Sequence, residues 1–342
     1  MNLRHFGIWF TVLASLILVS AIAATSATAQ ITAVKPYHCD FNGDGKADIL
    51  WRDPVNFTLD IWYMNGLTFS TAADNFLLTF WQVVACGDLF GDGHTTGIMW
   101  KQPQTNEIAF WGSGGGCAAA AASPWLPENA ADMNGDGKLD LLWRNPATGE
   151  RAVWYLNGCD PDFFHHYNQL LVQGAAYLPS VDPAWHLDFT GDFDGDGKAD
   201  FFWKNHSTGE VAIWLMNNTT ILASAPFGPY ADWNVVQVAD FDGDGKSDLL
   251  WQNHKTGELG IWFMNGVTAS SYAYLPSISP EWSAVGSDDY DGDGNNDLLW
   301  FNSTTGDVAI WLMQGSTILQ SGIVANLGAG NVKYPISGRV PQ

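Results

Sequence analysis

Each of six Asp/Asn-Gly-rich loops in this chain is followed by two tryptophans set eleven residues apart. The pairs are Trp51/Trp62, Trp100/Trp111, Trp143/Trp154, Trp203/Trp214, Trp251/Trp262 and Trp300/Trp311. Five of the loops are also preceded by a tryptophan seven residues upstream of their first Asp, at Trp81, Trp125, Trp185, Trp233 and Trp282. Of the 18 tryptophans only Trp9 stands outside this scheme. Constant spacing within a unit and variable spacing between units mark a structural repeat, whose copies bury their apolar surface against one another. The chain therefore reads as one supersecondary unit copied six times, with copies starting near residues 33, 81, 125, 185, 233 and 282. Function has to be sought in the loops and in departures from the repeat.

Repeat five shows the unit most plainly. Residues 233–239 read as a short apolar strand and 240–248 as the acidic loop, and Leu249, Leu250 and Trp251 open a second strand. A turn follows at 253–258, with Gly257 where a positive φ is expected. Residues 259–264 form a third strand closed by Asn265-Gly266, a strong hairpin signal. A looser segment reaching Tyr274 and Leu275 supplies the fourth. The strands are apolar on both faces, so each small sheet must be covered on both sides. Four short antiparallel strands per unit, rich in aromatics and repeated six times, predict an all-β chain folded as a β-propeller. The first-strand segment occurs both before repeat one (33–35) and after repeat six (330–334). Either one terminal copy completes a blade begun at the other end of the chain, giving six four-stranded blades, or there is a seventh, degenerate blade.

Arg4 and His5 precede an apolar run from Phe6 to about Ala24, and small residues at Ala27 and Ala29 offer a cleavage site. This predicts a signal peptide over residues 1–29, with an uncleaved N-terminal anchor as the alternative. Residues 30–342 then make one exported propeller with no membrane span. The net charge of −22 opposes nucleic acid and anionic membranes as partners. Of the 36 acidic residues, 20 lie in the six loops, where they would repel one another without a counter-ion. Four cysteines in an exported chain point to disulfides. Cys39 and Cys86 hold similar places in repeats one and two, as do Cys117 and Cys159 in repeats two and three. Cys39–Cys86 with Cys117–Cys159 is the preferred connectivity of three.

The loops follow Asp-x-Asp/Asn-Gly-Asp-Gly-x-x-Asp, with side-chain oxygens at positions one, three, five and nine and a main-chain carbonyl near seven. The candidate ligands are Asp40, Asn42, Asp44, Lys46 and Asp48 in the first loop and Asp132, Asn134, Asp136, Lys138 and Asp140 in the third. The fourth offers Asp192, Asp194, Asp196, Lys198 and Asp200, and the fifth Asp240, Asp242, Asp244, Lys246 and Asp248. The sixth offers Asp289, Asp291, Asp293, Asn295 and Asp297. All-oxygen sets of this size suit calcium, whereas magnesium dehydrates reluctantly and rarely fills an all-protein cage. The second loop departs, with Asp88, Phe90, Asp92 and Thr96 at the ligand positions, so its site is expected to be weak or empty. About five structural calcium ions are expected.

An EF-hand would need a Glu at position twelve, where this chain has tryptophan, and a strand rather than a helix follows. At these residues the chain resembles the FG-GAP/VCBS repeat family, best known from the propeller of integrin α subunits. The resemblance implies calcium in the loop between first and second strands, with partners on the other face of the ring. The Phe-Gly/Gly-Ala-Pro signature is not intact here, so the VCBS branch is the nearer likeness.

No Ser/His/Asp, Cys/His or zinc-type spacing is present. His206 and His254 share one turn position, and Glu150, Glu210 and Glu258 each follow Thr-Gly in a turn. Two segments break the repeat: an insert at 157–180 holding Phe163, Phe164, His165, His166 and Tyr167, and residues 112–123, whose Gly and Ala runs read as a floppy replacement for a lost strand. The expected protein is a secreted or cell-surface monomer, a non-catalytic recognition or adhesion module for a glycan or an extracellular protein. The alternatives are an extracellular polysaccharide lyase or hydrolase on a propeller scaffold, and a purely structural surface protein.

Overall fold

A computed structural model describes residues 39–53, 58–74, 81–91, 97–102, 104–105, 107–112, 115–120, 124–159, 169–230, 232–328 and 334–335. The signal peptide at 1–29, the start of repeat one near 33 and the aromatic residues 163–167 of the insert lie outside the described residues.

Six four-stranded antiparallel sheets follow one another along the chain. Blade five comprises Trp233–Ala239, Asp248–Asn253, Leu259–Asn265 and Thr268–Leu275, in that order across the sheet. This is the order its turn signals predict. The eleven-residue tryptophan spacing is a consequence of register. In blade five Leu249 faces Trp262 and Trp251 faces Gly260. The same pairing sets Ile49 against Trp62, Leu141 against Trp154 and Leu298 against Trp311. Residues two apart on a strand share a face, so both indoles of a pair stand on the same side of their blade. Their ring centroids lie 4.9 Å apart in blade one, 5.1 Å in blade four and 5.0 Å in blade five. The first tryptophan of every pair is buried.

The clusters of buried apolar residues each join two neighbouring blades. Leu50 and Ile61 of blade one meet Val83 and Trp100 of blade two. Phe110 meets Trp143 across the next joint, and Leu142 meets Phe201 across the one after. Ile213 packs with Trp251, and Ile261 with Trp300. The last cluster joins Leu299 and Ile310 of blade six to Trp51 and Met64 of blade one. The ring is therefore closed. Its closing strand comes from the far end of the chain: Tyr334–Pro335 pairs with Trp51 and Arg52 and completes blade one. Among the described residues there are six blades, and strands from both ends of the chain meet in the first of them.

One sequence expectation is corrected. Residues 112–123 do not replace a lost strand, because Gly115–Ala120 forms the fourth strand of blade two, paired with Glu107–Gly112. Backbone pairing there needs no bulky side chain, and Cys117 anchors the strand. The disulfides are Cys39–Cys86, with Cα atoms 5.9 Å apart, and Cys117–Cys159, at 5.6 Å. The first ties blade one to blade two and the second ties blade two to blade three. Among the described residues no helix is long and apolar enough to cross a membrane.

Candidate metal centres

In blades two to six the acidic loop connects the first strand to the second, and in blade one it leads into the second strand, Ile49–Asp53. In loop five the position-one carboxylate of Asp240 accepts three backbone N–H groups: Gly243 at 2.8 Å and Asp244 at 3.2 Å on Oδ1, and Gly245 at 2.8 Å on Oδ2. That wrapping requires left-handed backbone at positions four and six, and Gly243 and Gly245 have φ of 75° and 85°. Asp192 is wrapped in the same way in loop four, Asp289 in loop six, Asp40 in loop one and Asp132 in loop three.

The structure brings positions one, three and nine together. Asp192, Asp194 and Asp200 place ligand oxygens within 4.8 Å of one another, as do Asp240, Asp242 and Asp248, and Asp289, Asp291 and Asp297. In loops one and three the position-three residue is Asn42 or Asn134, whose amide oxygen accepts the N–H of Asp44 or Asp136. The position-five carboxylates are engaged elsewhere. Asp196 pairs with Lys198 at 2.9 Å, Asp244 with Lys246 at 3.4 Å, and Asp44 and Asp136 accept from the amides of Asn42 and Asn134. Asp293 accepts from both the backbone and the side chain of Asn295.

Electrostatics mark these triads as incomplete without positive charge. Burial pushes Asp48, Asp140, Asp200 and Asp248 up to about 7 and Asp297 to about 8, with the neighbouring loop carboxylates adding to the shift. Two backbone hydrogen bonds to each oppose it. Asp194, Asp242 and Asp291 are also raised, by burial first and by the adjacent position-five carboxylate second. Convergent oxygens of this kind fit a hard cation, which would let all three ionise.

The loops also touch one another. In loops one, three, four, five and six the position-eight N–H donates to the position-one carbonyl of the preceding loop: Ala47 to Asp289 at 2.7 Å, Leu139 to Asp88 at 2.9 Å, Ala199 to Asp132 at 2.7 Å, Ser247 to Asp192 at 2.5 Å and Asn296 to Asp240 at 3.4 Å. Position-seven side chains lie over the position-four glycine of the preceding loop, Lys46 over Gly292 and Lys198 over Gly135 among them. Lys46 and Lys138 reach on to Asn65 and Asn157 of their own blades. Loop two differs from the others. Asp88 accepts from Phe90 and Gly91, and the Phe90 ring lies against Gly158 of blade three, while Asp92 and Thr96 lie outside the described residues.

The turn acids are architectural. The hydroxyls of Thr148, Thr208 and Thr256 donate to Glu150, Glu210 and Glu258, each at 2.8 Å. The repeat hid one cluster, however. His206 bonds the buried Asp188 at 2.9 Å, and its ring lies 4.8 Å from that of His186. His186 in turn meets Arg144 at 3.1 Å. These residues sit on different strands and turns of blades three and four, so no local spacing announces them.

Residues 192–251, from the fourth loop to the second strand of blade five, match the FG-GAP-like repeat family. Over those residues the chain carries an FG-GAP-like repeat. No curated protein matches it. Among solved structures it is similar to a chain of a nidogen/laminin complex, at 12% identity and a TM-score of 0.49, over 80% of this chain and 92% of that one. It is also similar to a quinoprotein alcohol dehydrogenase-like protein from Bacteroides thetaiotaomicron, at 9% identity and a TM-score of 0.44, over 89% and 67% respectively. Neither likeness speaks to function.

Proposed function

We propose that this chain is an exported propeller whose loops hold calcium and whose role is non-catalytic recognition of a glycan or an extracellular protein. The observation that carries the first part is where the acid triads sit. Each belongs to a loop that donates to, or receives from, the loop of the next blade, so an ion in the triad stiffens the joints of the ring. An ion that binds only the folded chain stabilises it by mass action. Calcium is favoured because the ligands are all oxygen and the loops keep glycine flexibility. Two inter-blade disulfides support export to an oxidising compartment.

Recognition is favoured over catalysis because the repeated acids are committed to loops and turns. The first tryptophan of every pair is buried, which leaves the more exposed surface to choose a ligand. The second reading, an extracellular polysaccharide-active enzyme, is favoured by the Asp188–His206–His186 cluster alone. A glycan-array screen of the exported chain, in calcium and again after metal removal, separates them. A hit on a defined sugar that is bound and not cleaved supports recognition. Chain cleavage that is lost in His206→Ala would replace it with the enzyme reading.

A further inference from the structure

Blade five carries an aromatic set that the other blades do not repeat. Trp251 faces Gly260 and Gly260 faces Tyr274, while Trp262 faces Tyr272, so the four rings stand on one side of the sheet. The connection from blade four adds Tyr230. Its ring meets Trp251 at 5.3 Å and 88°, and Trp262 at 5.5 Å and 79°. Tyr272 and Tyr274 are also nearly perpendicular, at 82°. Where blade five has Gly260, the other blades have Asp60, Ala109, Ala152, Ala212 and Ala309. A side chain added at Gly260 would meet only ordinary contacts. The space left is a hollow of about 190 Å³, lined by these residues. Its rim is wet, since Tyr272 and Tyr274 are 72% and 74% exposed.

We propose that this hollow binds a quaternary-ammonium group, the trimethylammonium head of a choline-type ligand. Rings set at right angles enclose a compact, rounded cation and present it with π faces. A pyranose instead needs a flat platform with hydrogen-bonding side chains beside it. Here the lining side chains offer only phenol hydroxyls and indole N–H groups, with no charged or amide group. Sugar hydroxyls would be left short of partners, at a cost in free energy, while a trimethylammonium needs none. The net charge of −22 draws cations to the whole molecule.

The chain already seats a cation on an indole of the same register. The guanidinium of Arg151 in blade three lies 4.5 Å above Trp203, which holds in blade four the place of Trp251 in blade five. Val211 stands in blade four where blade three has Arg151, so Trp251 receives no such cation from its neighbour. The site deepens the recognition reading by naming a ligand, and its geometry depends on neither glycan binding nor metal.

The test is a calorimetric titration of the full chain in calcium with choline chloride, with its neutral isostere 3,3-dimethylbutan-1-ol, and with methyl β-glucoside. Saturable choline binding is expected, with the neutral isostere about tenfold weaker and the glucoside weaker still. Tyr274→Ala and Tyr230→Ala should each weaken choline about tenfold at an unchanged melting temperature. Gly260→Leu should fill the hollow and abolish binding. Absent choline binding, equal affinity for the isostere, tighter glucoside binding, or an unaffected Tyr274→Ala variant would each overturn the proposal. A blank glycan array beside positive choline binding would sink only the glycan reading.

Discussion

Asp248 Oδ1 accepts the backbone N–H of Met264, sixteen residues on, at 2.8 Å, while its Oδ2 accepts that of Phe241 at 3.0 Å. One buried carboxylate thus clamps the loop, the second strand and the third. The arrangement recurs at Asp48 with Met64, Asp140 with Leu156, Asp200 with Met216 and Asp297 with Met313. Position nine is therefore architecture as well as a proposed ligand, whereas position three accepts only one exposed backbone N–H, that of Asp244 to Asp242 at 3.3 Å. Asp248→Ala should lower stability by about 2–5 kcal/mol with or without calcium, because two buried N–H groups lose their acceptor. Asp242→Ala should lower the melting temperature in calcium and leave the metal-stripped protein almost unchanged. Thermal melts of both variants in both conditions check this.

The raised position-nine carboxylates set the pH dependence of the metal-free protein. Their ordinary value is 3.8, and folding holds four of them at about 7 and Asp297 at about 8, chiefly through burial. Between those limits the folded chain keeps protons that the unfolded chain has released. The stabilisation is complete below the unfolded value and is lost as pH rises through the folded one. Metal-stripped protein should melt lower at about pH 8 than at about pH 5. Calcium bound at the proposed sites would take the place of the protons, so the fall should vanish or reverse when the ion is present. Stripped protein that is more stable at the higher pH contradicts this account.

Loop two lacks the position-three oxygen, with Phe90 packed on Gly158 instead. Asp92→Ala should therefore change calcium stoichiometry and melting temperature little, while Asp242→Ala, in a converging triad, should remove one ion and lower both. Equal effects would show that loop two is a working site.

The blade with the degenerate loop is also the one held by disulfides on both sides. Cys39–Cys86 closes 47 residues and Cys117–Cys159 closes 42, and a parallel bridge between Ala118 and Gln169 lies beside the second. Loss of either bond should cost about 2–4 kcal/mol. Hydrogen exchange on Cys117→Ser/Cys159→Ser should report the loss first in blade two, with blades five and six protected as before. Uniform loss of protection around the ring would argue against a local role.

The repeat was legible because register and burial both act on tryptophan. The residue two before the first indole must face the second, and both must fit a blade joint, so spacing encodes structure directly. Ring closure was half legible: the sequence offers a terminal copy of the first strand at 330–334, and the pairing of Tyr334–Pro335 with Trp51 and Arg52 decides between six blades and seven. Gly115–Ala120 misled because glycine and alanine lack the β-branched and aromatic signature of a strand, although its backbone pairs fully. The acid triads were half visible: positions one, three and nine converge, while lysine and asparagine side chains hold position five. The hollow in blade five depends on what Gly260 lacks and on which residues face it across the sheet. His206, read as a turn residue, is one, and it also meets Asp188, which no spacing connects to it.

Calcium titration into the metal-stripped chain, counted by calorimetry with magnesium as control, tests the central claim most directly. About five equivalents should bind, with a rise in melting temperature that magnesium does not reproduce. No calcium binding, or binding that leaves the melting temperature unmoved, would contradict a ring held together at its joints by metal.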